Sequence, residues 1–156
     1  LHVWQLAVGA GAHRTGEQVL EHLPKGQVAV VDFDPEVVHH LRRRGYAAVY
    51  GDLTDPDVFE SFDRKKITLV ISTSPSFEDN VALVTKLGQD RGIDVIARAE
   101  NESEAKRLYA LGAEYVLVPQ LTAGQHLGNL VAALRSGKKV TKHREHDLRH
   151  LAHDRL

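Results

Sequence analysis

The sequence predicts an α/β protein, a doubly wound six-stranded parallel sheet with helices on both faces. Short apolar runs alternate with segments of helical periodicity along the 156 residues, and this alternation is typical of the βαβ units that build a parallel sheet. Residues 3–34 give a second indication: a strand, a glycine-bounded turn, an amphipathic helix and a second strand ending in acid. This order is the first half of a nucleotide-binding βαβ unit.

The later elements follow from boundary signals and apolar runs. Asp34-Pro35 and Asp55-Pro56 predict helix starts, with aspartate as N-cap and proline in the first turn, and Gly112 predicts a helix stop. Further predicted strands cover 47–50, 67–71, 93–97 and 115–118, and further predicted helices cover 77–90 and 102–111. With right-handed crossovers, the expected strand order is 3-2-1-4-5-6.

The glycine turn is placed by counting back from the helix that follows it. Because the apolar face of that helix (Val19, Leu20 and Leu23) begins just after Gly16, we place the turn at residues 11–16, opening at Gly11 and closing at Gly16. Gly9 then lies inside the strand. A helix N-terminus of this kind attracts phosphate, and Asp32 follows at about the 20-residue spacing of a ribose-binding acid.

The residues of this turn bear on which nucleotide binds. His13 stands where the middle glycine would let the backbone approach a pyrophosphate, so a nucleotide is better supported than a full dinucleotide. Arg14 offers a cation to phosphate. From topology alone, Ser72 and Thr73 follow strand four and border the same crevice, while Asp52 follows strand three beside Asp32.

Composition excludes several classes of protein. The net charge of −1 argues against nucleic acid as the partner, because binding a phosphate backbone requires a basic face. No apolar run approaches about 18 residues, so we expect no membrane-spanning segment. Without cysteine there is neither a disulfide nor a thiolate metal site, which fits a reducing cytoplasm.

The C-terminal region differs from the rest. An apolar helix is predicted at 121–134, and because six strands already complete the sheet, we expect it to be buried against a second copy of the chain. We therefore divide the chain into a domain of residues 1–136 and a charged helical tail of residues 137–156. Histidines 143, 146, 150 and 153 share one face of this tail; that spacing suits zinc or nickel, but an exposed polar helix explains it equally well, and we assign no metal ligand.

Several motifs in order resemble the TrkA-N domain, the nucleotide-binding half of the RCK modules that regulate potassium channels, potassium uptake systems and cation:proton antiporters. The resemblance covers about residues 3–135, and the motifs that carry it are Val30-Val31-Asp32-Phe33-Asp34-Pro35, Tyr50-Gly51-Asp52-Leu53-Thr54-Asp55-Pro56, Leu69-Val70-Ile71-Ser72-Thr73, Glu78-Asp79-Asn80 and Gly112-Ala113-Glu114-Tyr115-Val116. It implies a Rossmann-like core that binds NAD(H) or an adenine mononucleotide such as AMP.

The resemblance also implies roles for individual residues. Asp32 is similar to the ribose acid and Phe33 to a neighbour of the adenine, while Asp52 and Leu53 are similar to contacts of the adenine edge. Arg14 and Thr15 are similar to phosphate contacts, and Arg98 is similar to a basic position that faces the phosphates in some members. His13 resembles the antiporter-linked branch, in which the middle glycine is often replaced.

For the whole protein, the resemblance implies a homodimer through the helix at 121–135 and a gating role on a membrane transporter or channel, at the cytoplasmic face of the membrane. The chain begins at Leu1 and contains no methionine, so we expect a piece of a longer polypeptide such as an antiporter. A small NAD-dependent oxidoreductase is the alternative, but no Tyr-x-x-x-Lys pair or nucleophile–base pair supports an enzyme. An interaction domain with a vestigial crevice is a third hypothesis.

Overall fold

The computed structural model describes residues 5–9, 16–88 and 92–153. Six strands are present: β1 (Gln5–Gly9), β2 (Val28–Asp32), β3 (Ala47–Tyr50), β4 (Ile67–Ser72), β5 (Asp94–Arg98) and β6 (Tyr115–Leu117). They form one sheet in the order β3-β2-β1-β4-β5-β6, and every neighbouring pair is parallel. The predicted parallel α/β fold and its strand order are confirmed.

The helices that connect these strands are α1 (Glu17–Leu20), α2 (Pro35–Arg43), α3 (Pro56–Glu60), α4 (Phe77–Leu87) and α5 (Glu102–Leu111), with 3₁₀ turns at Lys25–Gln27 and Arg64–Lys66. As predicted, Asp34 and Asp55 cap α2 and α3 through their side chains. Ser76 and Asn101 do the same for α4 and α5. Short polar side chains satisfy the first backbone N–H groups of a helix, and so fix where it begins.

The first helix is shorter than the sequence indicates. The prediction places Val19, Leu20 and Leu23 on one helix face, but α1 ends at Leu20. Pro24 follows Leu23, and a residue before proline is disfavoured in the helical region. Leu23 nevertheless packs beside the cluster that contains Leu20, so the apolar pattern identified buried residues although one of them lies outside the helix.

Other boundaries move by a few residues. The predicted strands at 67–71, 93–97 and 115–118 are observed at Ile67–Ser72, Asp94–Arg98 and Tyr115–Leu117. Ser72 therefore belongs to β4 rather than to the loop after it. The helix predicted at 77–90 ends at Leu87 with Gly88 as its C-cap, and positions 89 and 90 lie outside the described residues.

Helices cover both faces of the sheet, and β2 is buried along its whole length. Val31 belongs to the larger core cluster, together with Phe59 of α3 and Leu83 of α4. Its neighbour Val30 belongs to the other cluster, with Leu41 of α2. Because successive strand residues point to opposite faces, this split shows an apolar layer on each side of the sheet.

The chain divides into two compact units, Leu1–Val118 and Pro119–Leu156. The second unit consists of α6 (Pro119–Arg135) and α7 (Thr141–His153). The helix predicted at 121–134 thus begins at Pro119, since proline is favoured in a first helical turn; the division into a domain of residues 1–136 and a tail of residues 137–156 stays a prediction. No helix of the described residues has the length and apolar character needed to cross a bilayer.

Candidate functional site

The carboxyl ends of the six strands lie along one edge of the sheet, and the crevice predicted from the sequence falls at its middle. Gly9, the last residue of β1, is in register with Val31 of β2 and with Ser72 of β4. The chain therefore leaves β1 between two strands whose connections run to opposite faces of the sheet. In parallel α/β folds this switch point is where ligands bind.

Most of the predicted phosphate turn falls outside the described residues. This applies to Gly11, His13, Arg14 and Thr15. Gly16, which closes the turn, is buried and directly precedes α1 with helical φ and ψ of −64° and −44°. The structure thus places the end of the turn at the start of α1, as predicted, and the phosphate contacts of the other four residues remain predictions.

On one side of the switch point, β2 ends in Asp32. Its side chain is 2% exposed, and its Oδ1 accepts a hydrogen bond of 2.8 Å from the backbone N–H of Asp34. Between the two aspartates, the Phe33 side chain is 63% exposed. A carboxylate fixed at the strand end and an exposed aromatic ring therefore lie next to each other, as the sequence predicts.

The neighbouring strand end adds a second carboxylate. Asp32 is in register with Tyr50 of β3, and its carbonyl oxygen accepts a 3.0 Å hydrogen bond from the N–H of Gly51. Asp52 follows and is exposed, with its Oδ1 accepting from the Thr54 N–H at 2.8 Å. Leu53 is buried in the core, so any contact that it makes with a ligand is through its backbone.

On the other side of the switch point, a buried amide joins two strand ends. The Ser72 hydroxyl donates to Oδ1 of Asn80 at 2.5 Å. Asn80 Nδ2 donates to the carbonyl oxygens of Ser74 at 3.0 Å and Arg98 at 2.9 Å. Thr73 and Ser74 are buried beside this network. Ser72, Thr73 and Arg98 are therefore brought to one place, as the predicted topology requires.

The sequence reasoning missed the role of Asn80, although the residue lies in a motif that carries the family resemblance. Asn80 is 1% exposed and occupies the buried stripe of α4 with Leu83, Val84 and Leu87. A polar residue on the apolar stripe of a helix needs hydrogen-bond partners. Its position in that stripe was the available signal.

Arg98 ends β5 in an ion pair. Its Nη2 lies 2.5 Å from Oε1 of Glu100, with side-chain exposures of 26% and 47% respectively. Its Nε is buried, and no acceptor among the described residues lies within hydrogen-bond distance of it. The edge thus has carboxylates at the ends of β2 and β3 and a guanidinium at the end of β5, a polarity that suits a ligand with a sugar at one end and phosphates at the other.

The histidines of the second unit are described only in part, because the side chains of His150 and His153 lie outside the described ones. His143 of α7 lies beside His126 of α6, with ring centroids 5.9 Å apart. Among the described side chains, no group of three or more His, Cys, Asp or Glu is arranged to hold a metal ion.

These features define the class of protein, a Rossmann-like α/β domain whose topological switch point lies between β1 and β4. The family model of the TrkA-N domain matches residues 8–119, which include the end of β1, all of β2 to β6 and only the first residue of α6. The chain belongs to the TrkA-N domain family. The resemblance identified from its sequence motifs is confirmed.

Solved structures show the same fold. The TrkA-N domain of inner membrane protein ybaL from Escherichia coli matches with a TM-score of 0.73 at 22% identity, covering 83% of this chain and 97% of that one. The Kef CTD of Shewanella denitrificans in AMP-bound form matches with a TM-score of 0.65 at 20% identity, covering 95% and 91%. The GsuK channel bound to NAD matches with a TM-score of 0.59 at 24% identity; the match covers 76% of this chain and 22% of that one.

Proposed function

We propose that this chain is a regulatory domain that binds an adenine nucleotide, NAD(H) or a mononucleotide such as AMP, at the carboxyl edge of its sheet. The observation that carries the proposal is the position of Asp32: in a TrkA-N chain, its carboxylate ends β2 beside the switch point at Gly9. An acid at this place in a Rossmann-like fold accepts hydrogen bonds from ribose hydroxyls.

The residues along the edge fit the other parts of such a ligand. The exposed Phe33 ring offers a face for the base, and the segment from Asp52 to Leu53 offers its edge contacts. The turn of residues 11–16 would hold the first phosphate, with Arg14 and Thr15 as its contacts. Arg98 supplies positive charge further along the edge.

The burial of Asp32 has two consequences for this proposal. Because its carboxylate is held by the Asp34 N–H, the side chain is oriented before a ligand arrives, and binding loses little rotamer entropy. Because the side chain is 2% exposed, a ribose has to take the place of groups that now cover it. We therefore expect nucleotide binding to displace the groups that cover Asp32.

The regulatory part of the proposal is supported by the class of proteins that share the fold. Similar structures include the GsuK channel bound to NAD and a Kef CTD in AMP-bound form. By analogy, this domain would act at the cytoplasmic face of a membrane on a potassium channel or cation:proton transport protein, as a homodimer through 121–135 and without catalysis. A nucleotide would regulate that partner only through different affinities for two dimer geometries.

Calorimetry with NADH, NAD, AMP and ATP tests nucleotide binding directly. We expect Asp32→Asn to weaken the tightest ligand by about 1–3 kcal/mol, the cost of losing a charged acceptor, while its Oδ1 still accepts from Asp34. Asp94→Asn is the matched control, because this exposed carboxylate begins β5 at the opposite edge of the sheet. If the wild-type chain binds none of the four nucleotides, the interaction-domain hypothesis replaces this one.

Turnover separates a sensor from an enzyme. A sensor binds NADH without oxidising it, so the NADH absorbance should stay constant in the presence of small aldehydes, ketones and 2-oxo acids. Steady loss of absorbance that depends on the protein, and that Asp32→Asn slows at low NADH concentration, would establish the oxidoreductase alternative instead. Fold alone does not decide between these two functions.

A further inference from the structure

Hydrogen bonds to side chains hold the backbone of both residues in the ion pair at the end of β5, Arg98 and Glu100. The Arg98 backbone is fixed, because its carbonyl oxygen accepts from the buried Asn80 amide at 2.9 Å. The Glu100 backbone is fixed as well, because its N–H donates to Oε2 of Glu104 at 2.9 Å, and Glu104 is hydrogen-bonded to the α5 N-cap, Asn101. The backbone that carries each of the two side chains is therefore held in place.

The guanidinium is only partly used by Glu100. One nitrogen, Nη2, contacts the carboxylate, while the buried Nε has no acceptor among the described residues. Nε and Nη2 together form the fork with which arginine binds phosphate in a bidentate manner. Two oxygen atoms of one phosphate can accept from Nε and Nη2 together, whereas Glu100 in its present position accepts only from Nη2.

The distance along the edge indicates which phosphate would reach Arg98. In the sheet, β5 lies two strands from β1 and three strands from β2. Adjacent strands are about 4.8 Å apart, so the end of β5 is roughly 10 Å from β1 and roughly 14 Å from β2. A nucleotide whose ribose is held at Asp32 places its first phosphate near the end of β1, and only a longer phosphate chain extends toward β5.

We propose that Glu100 is a specificity-determining residue, which occupies Arg98 until the terminal phosphate of a nucleoside di- or triphosphate takes its place. This inference rests on the proposed nucleotide site. Glu100 competes for the guanidinium and repels added negative charge, so its effect grows with the number of phosphates on the ligand. AMP is too short to meet the pair, and it binds independently of Glu100.

The test compares four probes (adenosine, AMP, ADP and ATP) by calorimetry on the full chain. Glu100→Gln should tighten ATP binding on the order of tenfold and ADP binding by less, which is the size of a screened charge interaction. AMP and adenosine should change by less than about twofold because their contacts lie beyond the reach of a screened charge. Arg98→Gln should weaken ATP binding by about tenfold and leave AMP binding unchanged.

Glu102→Gln is the matched control, because it removes the same charge from the exposed first turn of α5. If Glu102→Gln tightens ATP binding as much as Glu100→Gln, net charge explains the effect and the inference is wrong. It is also wrong if Glu100→Gln leaves ATP affinity unchanged, or if Arg98→Gln weakens AMP and ATP equally. A wild-type chain that binds NAD, NADH or AMP but neither ADP nor ATP would refute the inference and leave the proposed function standing, whereas failure to bind any of these nucleotides would overturn the proposed function itself.

Discussion

The two units of the chain use apolar residues in opposite ways. In the first unit, leucines and valines at helical and strand spacing are buried on both faces of the sheet. In the second unit, α6 contains no buried residue, and its large apolar side chains Leu121, Leu127, Val131 and Leu134 are 46–61% exposed. Apolar periodicity therefore predicts a helix in both units, but the side chains that carry it are buried only in the first.

The largest expected difference between the units is in their tolerance of added volume at glycine. Gly112 ends α5 with φ +109°, and a Cβ there would lie 2.8 Å from the carbonyl oxygen of Gly88. Gly112→Ala should lower the free energy of unfolding by about 3 kcal/mol through backbone strain and this contact. Chemical denaturation of the purified chain measures the change.

Gly124 of α6 is the matched control, because a Cβ there meets nothing within 4 Å. Gly124→Ala should raise helix stability by about 0.5–1 kcal/mol, since alanine loses less backbone entropy than glycine. A similar loss of stability in both variants would show that α6 is packed as tightly as the contact between α4 and α5, and the contrast between the units would be wrong.

A smaller difference between the two units is expected in the free energy of unfolding when an asparagine of each is replaced by alanine. Asn80→Ala leaves the Ser72 hydroxyl and two backbone carbonyls without their amide partner, and it should lower the free energy of unfolding by about 2 kcal/mol. Asn129→Ala, at an exposed position of α6, should change it by less than about 0.5 kcal/mol. Equal effects would mean that the buried network does not hold the ends of β4 and β5 together.

The smallest effect on unfolding is expected at the exposed apolar side chains of α6. Leu127→Gln should change the free energy of unfolding by less than about 0.5 kcal/mol but weaken self-association by about tenfold, since the leucine would be buried between two copies. Sedimentation equilibrium measures the association, with Asn129→Ala as the control. A wild-type chain that stays monomeric at high concentration would refute the homodimer through this helix.

Local chemistry made much of the first unit predictable. Asp34 and Asp55 each precede proline, and both cap helices as predicted, because a short acceptor side chain and a fixed proline φ act within a single turn. The strand at 47–50 and the helix at 102–111 are observed with the predicted bounds. Other boundaries differ from the prediction, as at α1, which ends at Leu20, before Leu23 and Pro24.

Within the candidate site, positions were predictable and contacts were not. Strand order placed Asp32, Ser72 and Arg98 at one edge, because the carboxyl ends of parallel strands meet there. Ser72 and Arg98 share one partner from elsewhere in the chain, Asn80 in the interior of α4. Nothing in the local sequence at Arg98 identifies Asn80, whereas the ion-pair partner of Arg98, Glu100, lies only two residues further along the chain.

The sequence by itself determined the order of elements, their caps and the family of this protein, because those properties arise from interactions between residues close together in the chain. Only the tertiary structure decided that Asp32 is buried and that Asn80 joins the ends of β4 and β5. Burial and pairing depend on which groups the folded backbone brings within a few ångströms of each other. That a second copy of the chain covers the exposed apolar side chains of α6 stays a prediction.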